Sequence, residues 1–357
     1  MKKYYKKDTK SAFQAKFDAQ KIAFAPVVFQ ATKVMRHLGI LELVEKKGND
    51  GITADEISSQ LDISLYGVKV LLDMGLSAEL FWLNNEHFIL TKTGHFIIAD
   101  TMTRVNMDFI NDVCYEGLFY LEDAIRTEKP AGLKVFGEWK TIYQALSQLP
   151  PKVQKSWFAF DHFYSDVAFS RALKEVFKTR PKRLFDVGGN TGKWALRCVE
   201  YDDDVHVTIL DLPGQLDKAM FNAQKRGFEA RIDGYPIDLL SKDAVFPTGT
   251  DAIWMSQFLD CFSEEEIVSI LKRAQAAMSE DTILYILETY WDRQAFEAGA
   301  FSLNSTSLYF TAMANGNSRM YHSKDMIKLV HQANMYIDED IDNIGLGHTL
   351  FKCKIKK

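Results

Sequence analysis

The stretch Leu184-Phe185-Asp186-Val187-Gly188-Gly189-Asn190-Thr191-Gly192 constrains the fold of this chain more than any other. A short apolar run that ends on an acid and then a glycine-rich turn describes a strand delivering its carboxyl end to a ligand. A second acid, Asp211, closes the β-prone run His206-Val207-Thr208-Ile209-Leu210. Strand, glycine turn, helix, strand and terminal acid is the layout of the first βαβ unit of a doubly wound sheet, in which the second acid hydrogen-bonds a ribose diol. The expected ligand is a nucleoside-type cofactor. A dinucleotide fingerprint, G-x-G-x-x-G, read from Gly188 would need glycines where Asn190 and Lys193 stand. Asp186 also argues against a pyrophosphate, because a carboxylate beside the turn repels phosphate and attracts a cation.

The acidic D-x-G-G-x-x-G turn, followed at the right distance by Asp211-Leu212-Pro213, resembles the class I S-adenosylmethionine-dependent methyltransferases. That resemblance implies S-adenosylmethionine as cofactor, with Asp186, Gly188, Gly189 and Gly192 at its methionine end and Asp211 and Leu212 at its ribose. In Gly234-Tyr235-Pro236-Ile237-Asp238, Asp238 matches the acid that the family places at the adenine amino group. Ser256, the last residue of the apolar strand expected over 251–256, completes the cofactor-binding set.

Length and composition fit this fold. A chain of 357 residues exceeds what one hydrophobic core usually serves, and 47% hydrophobic with 25% charged residues is an ordinary soluble balance. A net charge of −5 speaks against nucleic acid as the main partner. No apolar run approaches the roughly 18 residues of a membrane span, and the start is too charged for a signal peptide, so no membrane partner and a cytoplasmic location are expected. Cys114, Cys198, Cys261 and Cys353 are scattered without a C-x-x-C pair, which excludes a zinc cluster and gives no hint of a disulfide framework.

The N-terminal third reads differently. Val34 to Val44 forms an amphipathic helix, Thr53-Ala54-Asp55-Glu56 is a capping box opening a helix through Leu61, and a third helix from about Ser64 carries Val68, Leu71 and Leu72 on one side. Two β-prone runs, 80–83 and 87–90, meet at Asn84-Asn85-Glu86. Three helices and a hairpin make a winged helix. A DNA reader would cluster Lys and Arg on its third helix, whereas here Lys69 stands against Asp73 and Glu79, so a protein–protein module is expected.

Nearly the whole chain resembles small-molecule O-methyltransferases, whose N-terminal winged helix dimerises, and Leu90-Thr91-Lys92-Thr93-Gly94 matches their L-T-x-x-G after the wing. The resemblance implies a homodimer and three regions. Residues 1–105 form the dimerisation domain, 106–178 a helical connector over the substrate, and 179–357 the α/β, Rossmann-like, seven-stranded methyltransferase domain. In the connector, Phe160, His162, Phe163 and Tyr164 are expected to line an apolar pocket. In the last region, Ser263-Glu264-Glu265-Glu266 is a second capping box, a strand over 282–287 ends on Glu288, and strands 337–342 and 348–355 form the closing hairpin.

The catalytic signature departs from the family. Where its members read L-H-D-W, with the His as base, this chain has Leu259-Asp260-Cys261-Phe262, and where they read N-G-x-E-R it has Asn315-Gly316-Asn317-Ser318-Arg319. Glu288 keeps the acid that orients the His. The reading is therefore methyl transfer to an oxygen of a small aromatic or apolar acceptor, with Asp260, Glu288 and His162 as catalytic candidates. Keeping the cofactor but losing methylation is the alternative, and a DNA-binding regulator with a methyltransferase-like domain is a third. A carboxylate at its usual pKa of about 4 facing a phenol at about 10 leaves proton transfer roughly 8 kcal/mol uphill. Asp260 thus needs a pKa raised by burial, or His162 is the base, or the acceptor is already ionised.

Overall fold

Side-chain caps set most helix starts in the N-terminal part. Ser11, Thr53, Ser64, Thr91 and Asp100 each accept a hydrogen bond from a first-turn amide, which satisfies one of the donors that a helix start leaves open. In the computed structural model, residues 7–356 are described, and they fall into two compact units, 7–111 and 112–356.

The first unit contains helices α1 (Ala12–Ala23), α2 (Ala25–His37), α3 (Ile40–Lys47), α4 (Ala54–Leu61) and α5 (Leu65–Ser77), strands β1 (Phe81–Asn84) and β2 (His87–Leu90), then α6 (Lys92–Ala99) and α7 (Thr101–Phe109). The capping box before α4 is complete, Thr53 and Glu56 each bonding the other's backbone amide. The single helix expected over 34–44 is instead two. Gly39 adopts φ +78°, a left-handed conformation that ends α2 and redirects the chain into α3. Met35, Ile40, Leu41, Val44, Ile57, Val68 and Leu72 form a closed apolar centre under the hairpin. Thr91 does two jobs: its hydroxyl accepts from Gly94 N–H at the start of α6 and donates to the Glu79 carbonyl at 2.6 Å.

The second unit runs through α8 (Leu121–Thr127), α9 (Ile142–Ala145), the long α10 (Pro151–Val176), β3 (Arg183–Val187), α11 (Lys193–Tyr201), β4 (His206–Asp211), α12 (Pro213–Lys225), β5 (Ile232–Pro236), β6 (Ala252–Ser256), α13 (Glu264–Ala277), β7 (Ile283–Thr289), α14 (Glu297–Tyr309), α15 (Ser323–Gln332), β8 (Met335–Ile344) and β9 (His348–Ile355). One seven-stranded sheet holds them in the order β5-β4-β3-β6-β7-β9-β8. The first five of these strands are mutually parallel, and β9 pairs antiparallel with both β7 and β8.

Period-2 alternation sends Leu184 to one face of the sheet and Phe185 with Val187 to the other, so the parallel strands are apolar on both sides. On the first face Trp194 of α11 stacks on Trp254 of β6 with ring centres 4.0 Å apart, against the C-terminal half of α10. On the second, Ile267, Ile270, Leu271 and Ala274 of α13 point inward beside α15. The strand order reverses between β3 and β6, where β3 continues toward β4 and β6 toward β7. In an open α/β sheet that switch opens a crevice at the carboxyl ends of the strands. No described helix is long and apolar enough to cross a membrane.

Candidate active site

The crevice is floored by the turn after β3. Gly188 has φ +70°, and a Cβ built on it would lie 2.3 Å from the Phe258 ring, so only glycine fits there. Asp186 lies beneath the turn, 2% exposed, with Oδ2 so close to Gly189 that a Cβ there would sit at 2.7 Å. Burial, then the charge of Asp211, push the Asp186 carboxyl up to about 8, against the pull of the Ala195 amide. Gly192 caps α11. Asp211, at the end of β4, accepts from Asn190 N–H at 2.8 Å and from Leu212 N–H at 2.7 Å, one bond on each oxygen. Leu212 itself is the N-cap of α12. Asp238 is exposed after β5 and accepts from Leu240 N–H at 2.9 Å.

Several polar atoms along this rim are buried without a partner: Asp186 Oδ2, Asn190 Oδ1, Gln215 Oε1, Ser256 Oγ and Gln257 Oε1. Native structures leave few such atoms unsatisfied, and orphans gathered at the strand ends fit a ligand as polar along its length as a nucleoside joined to an amino acid.

Across the crevice lies the loop that departs from the family signature. Glu288 Oε1, at the end of β7, accepts from the amides of Phe258 at 3.0 Å and Leu259 at 2.9 Å and so fixes the turn that presents Asp260. Asp260 is 5% exposed and accepts the Cys261 thiol at 3.5 Å. Burial pushes the Asp260 carboxyl up to about 7, and Asp161 adds to the rise. Glu288, fully enclosed and close to Asp260, is held well above the usual carboxylate range by burial first and Asp260 second. From the other side Asn315 donates through Nδ2 to the Cys261 carbonyl, and Ser318 donates to Asn315 Oδ1 at 3.0 Å. Ser318 stands where the family has an acid and braces the Asp260 loop instead.

The residue of α10 whose charge reaches Asp260 is Asp161. It follows Trp157 by one turn, and Trp157 donates to the Tyr309 hydroxyl at 2.7 Å. His162 stands beside it, with Nδ1 3.7 Å from Asp161 Oδ2, and its ring stacks on Phe158 at 5.9 Å; burial lowers its pKa, with smaller influences from Lys193 and Asp166. Phe160, Phe163 and Tyr164 form a ring cluster with centres 5.0 and 5.3 Å apart along the same helix. The structure thus brings Asp260 and Glu288 together and places His162 beside Asp161. Sequence reasoning missed Asp161, whose signal was an acid inside the aromatic run 157–164 one turn from Trp157. It also missed Asn190 and Gln257, polar residues in turns at the strand ends, both with positive φ.

Residues 16–88 match the Dimerisation2-like domain, and residues 118–334 match the O-methyltransferase domain. The chain belongs to the O-methyltransferase family. Its members use S-adenosylmethionine, and the chain is an S-adenosylmethionine-dependent methyltransferase. It is similar to the L-tyrosine C(3)-methyltransferase of Streptomyces lavendulae, 22% identical over 304 residues that cover 84% of this chain and 81% of the relative. The bacteriochlorophyllide d C-20 methyltransferase of Chlorobaculum tepidum is 25% identical over 63% of this chain and 65% of its own. Among solved structures, the fold matches the S-adenosylmethionine-dependent methyltransferase SibL (TM-score 0.71, 20% identity, 94% of this chain and 98% of that one). It also matches the O-methyltransferase NcsB1 in complex with S-adenosylmethionine and 2-hydroxy-5-methyl naphthoic acid (TM-score 0.67, 19% identity, 92% and 96%).

Proposed function

We propose that the chain methylates an oxygen of a small, largely aromatic acceptor held between the loop 257–262 and the aromatic face of α10. The observation that carries this reading is the position of Phe258, whose ring closes on Gly188 of the cofactor turn while its amide hangs from Glu288. The loop that borders the cofactor is therefore the loop that aims Asp260. In this reading Asp186, Gly188, Gly189 and Gly192 shape the methionine end, Asp211 and Leu212 hold the ribose, Asp238 meets the adenine, and Ser256 faces the crevice. S-adenosylmethionine bound there supplies an electrophilic methyl group on a good leaving group. The chain's share is alignment, holding the acceptor oxygen in line at about 3 to 3.5 Å, and custody of the proton. With Asp260 at about 7, transfer from a phenol at about 10 is uphill by roughly 4 kcal/mol rather than 8, which alignment can absorb. His162, neutral because burial lowers its pKa, is the second candidate base.

A second reading moves the methyl group to a ring carbon. It is favoured by two of the relatives, which are named for methylating carbon. Supporting features fill in the rest. The helix and hairpin order of 40–90 supports a winged helix, the dimerisation domain supports a homodimer, and four unpaired cysteines suit the reducing cytoplasm. We keep the division 1–105, 106–178 and 179–357, with the middle helices serving the acceptor.

The test uses labelled methyl transfer over a panel of phenols and aromatic acids, with the methylated atom located by NMR. Asp260→Ala should lower turnover more than about tenfold and leave S-adenosylhomocysteine affinity within about threefold, as expected for a group that acts on the acceptor. A silent Asp260→Ala beside a crippled His162→Ala moves the base to α10. No product over the panel from either atom sinks the reading.

A further inference from the structure

We propose that Cys261 is a positioning residue for methyl transfer, its thiol holding the Asp260 carboxyl in place to take the acceptor's proton. The inference rests on the reading above, in which Asp260 is the base, and deepens it. The Cys261 thiol donates to Asp260 Oδ1 at 3.5 Å, and among the described residues this is the one side-chain hydrogen bond that the Asp260 carboxyl makes. The backbone on both sides is anchored. Glu288 holds the Phe258 and Leu259 amides, Asn315 Nδ2 donates to the Cys261 carbonyl, and the buried Tyr321 hydroxyl donates to the Phe262 carbonyl at 2.6 Å. The stretch of chain that carries the thiol is thus fixed beside the carboxyl that the thiol bonds.

Burial is what gives this bond its weight. Asp260 is 5% exposed, so little water reaches its charge, and a donor to the charged form favours that form. The titratable groups that face it are Cys261 from the same loop, Glu288 from β7, Asp161 from α10, Tyr143 from α9 and Tyr321 from the segment between α14 and α15. Asp161 disfavours the carboxylate, whereas the thiol supports it. Burial first, and the charge of Asp260 second, hold the Cys261 thiol well above its usual range, so at neutral pH it keeps the proton that it donates. In the L-H-D-W signature the place of Cys261 is taken by an acid. A carboxylate there would set a like charge against Asp260, while a thiol sets a neutral donor against it. The two departures fit each other: an acid for the His at 260, and a thiol for the acid at 261.

Two readouts on the full chain test this, one of them independent of turnover. The S–H stretch lies apart from other protein infrared bands and falls in frequency as the thiol donates more strongly. The Cys261 band, identified by its loss in Cys261→Ser, should rise in Asp260→Ala, and in the wild-type chain it should titrate with Asp260 at about pH 7. In methyl-transfer kinetics, losing the donor raises the carboxyl's pKa and moves the acidic limb up. Cys261→Ala should therefore lower kcat/KM about fivefold at pH 6 and leave it within about twofold at pH 9. Cys261→Ser keeps a hydroxyl donor and should stay within about twofold of wild type at both. A cysteine that only packs would cost the same at each pH and would leave no band that follows Asp260. The proposal is overturned if the band ignores Asp260→Ala, if Cys261→Ala loses equally at both pH values or nothing at either, or if Ser fares no better than Ala. No product from any acceptor, with a band that still follows Asp260, would sink the functional reading and leave the hold of Cys261 on Asp260 supported.

Discussion

Asp186 places an acid under a turn where most nucleotide-binding loops need phosphate room, and its protonation state is the lever that this choice provides. Burial and Asp211 hold it at about 8, so between pH 6 and pH 8 the ionised fraction climbs steeply. In the proposed site the ionised form would attract the ammonium of the cofactor's amino acid and the protonated form would not, so cofactor affinity is expected to rise with pH over this window rather than fall. S-adenosylhomocysteine, which carries the same ammonium, should bind about tenfold more tightly at pH 8 than at pH 6, and Asp186→Asn should flatten the dependence at the weak end. A flat profile in the wild-type chain would remove Asp186 from the cofactor's charge balance. Asp211 behaves differently: both of its oxygens already carry a backbone amide, so a ribose diol would add to bonds that preorganise it.

At the scale of elements, the unit that matters is the loop 257–262 suspended from β7. Glu288→Ala would strand the buried Leu259 amide, at about 1 to 3 kcal/mol, together with the part-buried Phe258 amide, and free the loop that aims Asp260. Glu288→Gln keeps an accepting oxygen at the same place. Steady-state kinetics should therefore show Gln within about threefold of wild type and Ala down by more than about tenfold; equal damage from both would mean that the acid's proton, not its hold on the loop, is what turnover needs. Local signals made most elements legible in advance. The apolar runs of β3, β4, β6 and β7, the two capping boxes and the closing hairpin all follow from neighbours within a few residues of each other. What was hidden is of two kinds. Gly39 breaks a helix that hydrophobic periodicity runs straight through, and β5 is an edge strand with mostly open side chains and thus no apolar run to announce it. That the charge of Asp161 reaches Asp260 depends on where α10 lies across the sheet, which no local pattern encodes. The aromatic run around residue 160 points to His162 for its chemistry, while the acid beside it, 3.7 Å from the His162 ring nitrogen, carries no such signal in the sequence.

For the whole molecule the open question is how many copies make the working form. Helix α1 buries none of its residues, and Phe13, Phe17, Ile22, Phe24 and Val27 are exposed by 86, 48, 77, 57 and 53%. A soluble chain rarely leaves so many large apolar side chains adjoining one another in sequence and structure unless another surface covers them. They fall in and beside the segment 16–88 that matches a dimerisation domain, and a two-fold pairing would let each copy cover the other's patch with the same residues. Light scattering should accordingly give twice the 40.8 kDa chain mass at micromolar concentration. Replacing Phe13 and Phe24 together by Glu puts like charges into the proposed contact and should shift the mass toward one chain. Circular dichroism should be unchanged, because neither residue contributes to the apolar centre of its own unit. A wild-type chain that scatters as a single copy at high concentration would show that something other than a second copy covers α1.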